Sequence, residues 1–526
     1  MNFLFESRQP GPLPWLVLLV CAAYLLAGIT GHDPWKADDA IGLAIAHGFF
    51  TGQDWLKPTL AGEAWTETTP LWYWLAAVMA RITSFALPFH DGARLASSLF
   101  GGVFFLVLAR TARSLYDDDA GWGAPLLAAG TLGLLLPLHE GQPAAAVLAS
   151  IAGVYWGAAL IGERPWAGAA IMGVSLGASF LAGGLLGVLP PLTLLAIPLL
   201  QKRYVAFLLA LGLGAVTASA WPLALAYKEP AYLVAWWTAE RAAIDFHGGF
   251  TSAHAKFIGW FAMPILYVAP WMLWRSRHRL TSPDVGIPLW GAIVALVWYV
   301  SHEPIVENAL PLVPPLVLLA SAGSARLRRG AANAWDWFGM MALTISAALV
   351  WLGSVALLTG WPPKLAGNMA RLTPGFTAHF SLFAMLLALV ATAAWIMALT
   401  RLPRSPWRVV TRWATGVTVA WILLATLWIP WIDHAKTYRP VVADLQRALP
   451  ADAECIGRLS VGAPQRAALD YFGGIRTRWG SKACDWLIVQ SGPKDAPPKG
   501  WDMVWEGHRP GDRTERLRLY RRDADA

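Results

Sequence analysis

Asp38, Asp39 and Glu67 are the residues best suited to chemistry in this chain. Asp38 and Asp39 follow the first long apolar run. Glu67 comes about thirty residues later, in Trp65-Thr-Glu-Thr-Thr-Pro-Leu-Trp-Tyr-Trp74. Three carboxylates thus share an aromatic-rich loop beside lipid, where ionisable groups are costly without work or partners. A carboxylate there can take a proton from a hydroxyl or hold a divalent cation. On a helix the side chains of Asp38 and Asp39 diverge by about 100°, so only one can face a given target. The loop also holds Lys36, Lys57, His47 and His90. The competing reading is a solvated loop whose acids cap helices.

The elements that must position these groups are membrane spans. Of 526 residues, 56% are hydrophobic and 14% charged, and the mean hydropathy is +0.47. Soluble domains carry about 25% charged residues. Apolar stretches near 20 residues, separated by basic clusters, predict a polytopic α-helical membrane protein. About thirteen spans are expected, at 13–30, 94–112, 122–138, 143–161, 166–182, 184–200, 204–226, 257–274, 284–301, 304–322, 335–359, 380–399 and 413–431. The first is read as a retained span, with no cleavage site and a cytoplasmic N-terminus.

Under this count the basic clusters fall on one side: Arg110 and Arg113, Lys202 and Arg203, Arg275 to Arg279, Arg326 to Arg329, and Arg401 to Arg412. The net charge of +8 is explained by this bias and needs no nucleic acid. The opposite side then holds loops 31–93, 227–256 and 360–379 and the polar tail. The expected domains are a transmembrane part, 1–432, and a small extracytoplasmic α/β domain, 433–526. In the tail, Pro440 to Leu449 reads as an amphipathic helix. Trp486–Gln490, Trp501–Trp505 and Arg516–Tyr520 read as strands. Cys455 and Cys484 are disulfide-competent if the tail faces outward, and free thiols if it does not. His139-Glu140-Gly141-Gln142, at a span end, either lines a cavity or caps a turn. Asp117 to Asp119 read as a solvated turn.

A family resemblance adds to this. Asp38-Asp39, then Gly52-Gln-Asp54-Trp55, then Glu67-Thr-Thr-Pro70-Leu71-Trp-Tyr73-Trp74 resembles the N-terminal loop of glycosyltransferase family 39. That family includes the aminoarabinose lipid A transferases and protein O-mannosyltransferases, which have the GT-C fold. The resemblance implies a bacterial inner-membrane enzyme that moves a sugar from a polyprenyl phosphate to a lipid, protein or glycan on the far side. Asp38 takes the place of the family's catalytic aspartate and Glu67 that of its Glu-Lys-Pro glutamate. His254, with His247 as rival, fits the histidine that shares a metal ion with that glutamate. The departures concern the donor phosphate. The family's Arg-Tyr is Ile41-Gly42, its Glu-Lys-Pro lysine is Thr68, and a later Lys-x-x-x-Tyr segment carries Glu303 and Glu307 instead. Lys36, Lys57, Arg241 and Lys256 are the cations left to hold a phosphate. The alternative is a lipid-linked sugar carrier, a flippase or an inactive scaffold, although no two-halves repeat supports a transporter.

Overall fold

Long apolar runs leave the backbone no hydrogen-bond partner but itself, so they close into helices. The computed structural model describes residues 11–35, 37–245, 248–324, 326–450, 453, 455–480 and 484–523. Among these, eight helices are long and apolar enough to cross a membrane, from Phe89–Leu115 to Arg408–Ala448. A ninth span forms if Ser252–Phe261 and Ile265–Arg275, bent by 92°, are counted together. Pro14–Leu26 and Ala144–Leu160 are shorter apolar helices. The run at 122–138 departs from expectation. Its helix is Asp118–Ala129, 12 residues, followed by a buried 3-10 turn. At 1.5 Å per residue the helix alone reaches about 18 Å, and the turn after it carries the chain from a pocket shared with Arg279 and Arg326 to Gly141 beside Asp39, so the run crosses as a broken span.

The division between 166–182 and 184–200 falls at a break. Gly183 and Gly184 leave helical geometry inside Pro165–Leu192, Gly184 with φ +58°. The Ser179 hydroxyl donates to the Gly187 carbonyl at 2.6 Å. In a straight helix residues eight apart stand about 12 Å away from each other. The chain therefore folds back sharply, a turn that glycine at positive φ permits.

The loop at 31–93 is largely ordered into helices Asp38–Phe50 and Leu71–Thr83, with the short strands β1 (Thr59–Leu60) and β2 (Glu63–Ala64) between them. The C-terminal part is a five-stranded sheet: β3 (Ile456–Leu459), β4 (Arg478–Trp479), β5 (Trp486–Ser491), β6 (Trp501–Gly507) and β7 (Arg516–Arg522), in the order β4-β3-β5-β7-β6. β3 runs parallel to β4 and β5, and β7 runs antiparallel to β5 and β6. Helix Arg439–Ala448 lays Val441, Val442 and Leu445 against Ile488, Leu517 and Leu519. A disulfide joins Cys455 to Cys484, ahead of β3 and β5.

This sheet domain is clamped to the loop. Asp33 accepts from Thr437 Oγ1 at 2.7 Å and from Arg439 Nε at 2.9 Å. Trp35 Nε1 donates to Asp433 at 2.7 Å. Glu63, on the hairpin, takes a bidentate pair from Arg458 and a further bond from Arg466, all at 2.7 Å.

Candidate active site

Helix Asp38–Phe50 places its two aspartates in opposite surroundings. Asp39 is 1% exposed and faces inward. Its carboxylate receives Arg94 Nε at 3.0 Å and Nη2 at 2.7 Å, Gly141 N–H at 2.7 Å and Trp35 N–H at 3.0 Å. A carboxylate offers about four lone-pair sites, and all are used. Burial pushes its pKa up, but the Arg94 charge and hydrogen bonds outweigh that and hold it below the usual range. Asp39 therefore has no lone pair left for an acceptor proton, and its expected share in catalysis gives way to holding the loop. Arg94, which the sequence reading passed over inside an apolar run, is fully buried. It also donates to the carbonyls of His32 and Asp33, both at 2.9 Å, and to Asp91. Five guanidinium N–H groups thus meet five acceptors.

Asp38, one residue earlier, is exposed to a cavity of about 490 Å³. Glu67, Thr68, Tyr73, Gln142, Glu240 and Glu307 also line it, with apolar wall from Ile41, Val147, Leu186 and Leu310. Its size is that of a small-ligand site. Burial first, and then the neighbouring Asp39 charge, raise the Asp38 pKa above the ordinary carboxylate value. Thr68 donates to Tyr73 Oη at 3.0 Å. Glu140 lies behind Gln142, which donates to it at 2.7 Å. Burial, then Asp39 and Asp38, push its pKa up to about 7.

Four carboxylates face this cavity, and among the described residues no Lys, Arg or His lines it. Of the expected phosphate ligands, Lys57 pairs with Glu229 at 3.2 Å. Arg241 and Lys256 are exposed and stand outside the lining. Lys36 and His247 lie outside the described residues.

His254 does not line the cavity that Glu67 lines. Its Nδ1 accepts from the Thr251 N–H at 3.2 Å and lies 2.8 Å from the Thr251 hydroxyl. Its Nε2 then carries the proton and donates to the His302 carbonyl at 2.8 Å. A histidine binds a cation through a free lone pair, and here both nitrogens are spent in a helix cap and the wall behind it. Among the described residues, no group of three or more His, Cys, Asp or Glu is placed to hold an ion. The donor set does not fit the expected metal.

No protein-family model matches the chain. The undecaprenyl phosphate-alpha-4-amino-4-deoxy-L-arabinose arabinosyl transferase of Pseudomonas aeruginosa is 27% identical over 441 residues, 78% of this chain and 74% of the relative. The transferase of the same name from Serratia proteamaculans is 24% identical over 397 residues, 68% of this chain and 69% of the relative. The crystal structure of ArnT from Cupriavidus metallidurans bound to undecaprenyl phosphate superposes with a TM-score of 0.69 at 16% identity, over 96% of this chain and 97% of that one. The chain is thus a multi-pass membrane protein with an ArnT-like GT-C fold, similar in sequence across most of its length to the aminoarabinose transferases.

Proposed function

We propose that this protein is a membrane glycosyltransferase that moves an amino sugar from a polyprenyl phosphate to a hydroxyl acceptor. The observation that carries this reading is Asp38, free of any basic partner among the described residues, facing a carboxylate-lined cavity in a fold shared with a protein crystallised with undecaprenyl phosphate. The relatives' name supplies the lipid and the amino sugar. A cavity lined by four carboxylates and, among the described residues, no cation suits a sugar that carries positive charge.

In this reading Asp38 takes the proton of the acceptor hydroxyl as that oxygen bonds to the anomeric carbon. The bond from that carbon to the phosphate oxygen breaks, and the electron pair leaves with the lipid phosphate. One displacement inverts the anomeric centre. A base of this kind contributes about 10²–10⁴-fold in rate. Glu67, across the same cavity, orients the acceptor or the sugar hydroxyls. Arg241 follows Glu240 on helix Pro230–Ala243 and is exposed. It is the cation proposed for the phosphate, with Lys57, Lys256 and Lys36 as the others. No step is assigned to a metal.

The one-sided basic clusters support an inner-membrane protein whose site and 433–526 domain face the periplasm. The test is transfer by purified protein in liposomes containing undecaprenyl-phosphate-linked amino sugar and lipid acceptors. Product of inverted configuration supports the reading, and absence of transfer to every lipid, protein or glycan acceptor refutes it. That no described residue brings a cation to the cavity favours, as second reading, a non-catalytic carrier. That reading requires donor binding without turnover.

A further inference from the structure

The buried face of helix Pro230–Ala243 is Tyr232, Trp236 and Glu240, a stripe at four-residue spacing. The first two fit an apolar contact. Tyr232 also donates to the Trp65 carbonyl at 2.7 Å, which ties the helix to the segment that carries Glu67. The third is a carboxylate, 9% exposed, at the cavity wall. Buried charges in proteins are normally paired. Glu240 has no basic partner among the described residues. One oxygen accepts the Leu185 N–H at 2.8 Å, at the glycine break of the facing helix.

The break is shaped around this group. Gly184 has positive φ, and a Cβ there would collide with the Glu240 carboxylate. Asp38, Glu67 and Glu307, the other carboxylates of the cavity, are exposed to it. Glu240 accepts one backbone donor and has capacity for further donors.

We infer that Glu240 is the specificity-determining residue that receives the ammonium group of the donor sugar. This rests on the glycosyltransferase reading and deepens it. An ammonium brings three donors and a charge to a carboxylate whose desolvation the fold has already met. A neutral hydroxyl in its place leaves that carboxylate undercompensated, and sites built around a charged contact reject such analogues.

The experiment compares two undecaprenyl-phosphate donors, one carrying an amino sugar and one the same sugar with hydroxyl in place of the amine. The reconstituted wild-type protein should prefer the amine by about tenfold or more in kcat/KM, the scale of one hydrogen bond to a charged group. Glu240→Gln should bring that ratio close to one, mainly by losing the amino donor. A wild-type ratio retained in E240Q overturns the inference, and so does a wild-type protein indifferent to the amine. Transfer of neither sugar by wild type overturns the glycosyltransferase reading itself. Should E240Q not accumulate, Glu240→Asp withdraws the carboxylate by one methylene. Loss of preference there supports the assignment, and an unchanged ratio refutes it.

Discussion

Replacing Arg94 by Met exposes how the loop is held. The side chain keeps its bulk but loses five hydrogen bonds: two to Asp39, one each to the carbonyls of His32 and Asp33, and one to Asp91. Breaking a buried ion pair from one side costs about 3–5 kcal/mol, because the other charge stays buried. Asp39, 1% exposed, has no route to water. An orphaned carbonyl adds about 1–3 kcal/mol where water cannot enter. Arg94→Met should therefore cost about 5 kcal/mol or more, a large part of the stability of most folds. Arg94→Met combined with Asp39→Asn removes both charges, while the introduced amide oxygen can still accept from the Gly141 or Trp35 N–H. The double variant should recover about half of the loss. Melting of the detergent-purified protein, followed by tryptophan fluorescence, gives the order wild type, double variant, single variant. If R94M melts like wild type, or the double variant melts no higher than R94M, the ion pair is not what holds the loop.

Further expectations follow from the site and the sheet domain. The Asp38 base must be ionised, so turnover falls as pH drops through its pKa. Burial and Asp39 raise that pKa, so the acidic limb of the rate profile should lie above the ordinary value near 4; a limb at or below 4 contradicts this. Reducing Cys455–Cys484, a closure over 29 residues, should lower the stability of the sheet domain by about 3–4 kcal/mol, read as earlier proteolysis of the tail. Gly184→Ala should impair transfer and lower melting, since it meets both positive φ and the Glu240 carboxylate; full activity would contradict the tight turn.

Much of this fold was legible because bilayer physics writes long signals. Apolar runs marked the helices, the short apolar run 486–490 marked β5, and the partial alternation in 501–505 and 516–520 marked β6 and β7. β3, at only four residues, and helix Ala463–Gly473, weakly amphipathic, were passed over. The run 122–138 read as an unbroken span because composition does not reveal where a helix ends at Gly130. Within the site, adjacency predicted that Asp38 and Asp39 would part, but not which would face inward. That depends on Arg94, 55 residues away. His254 matched a motif position, yet its ring was committed to Thr251 and His302 by packing that sequence does not show. Glu240 did leave a trace: Tyr232, Trp236 and Glu240 at helical spacing put an acid on an otherwise aromatic face.

In the proposed reaction the Asp38 carboxylate takes the proton of the acceptor hydroxyl as that oxygen attacks the anomeric carbon of a lipid-linked sugar. Its most direct test is the transfer rate of Asp38→Asn in liposomes, at saturating undecaprenyl-phosphate amino sugar. The variant should turn over about 10²–10⁴-fold more slowly than wild type, with donor binding and melting temperature nearly unchanged. A variant that turns over at the wild-type rate would contradict it.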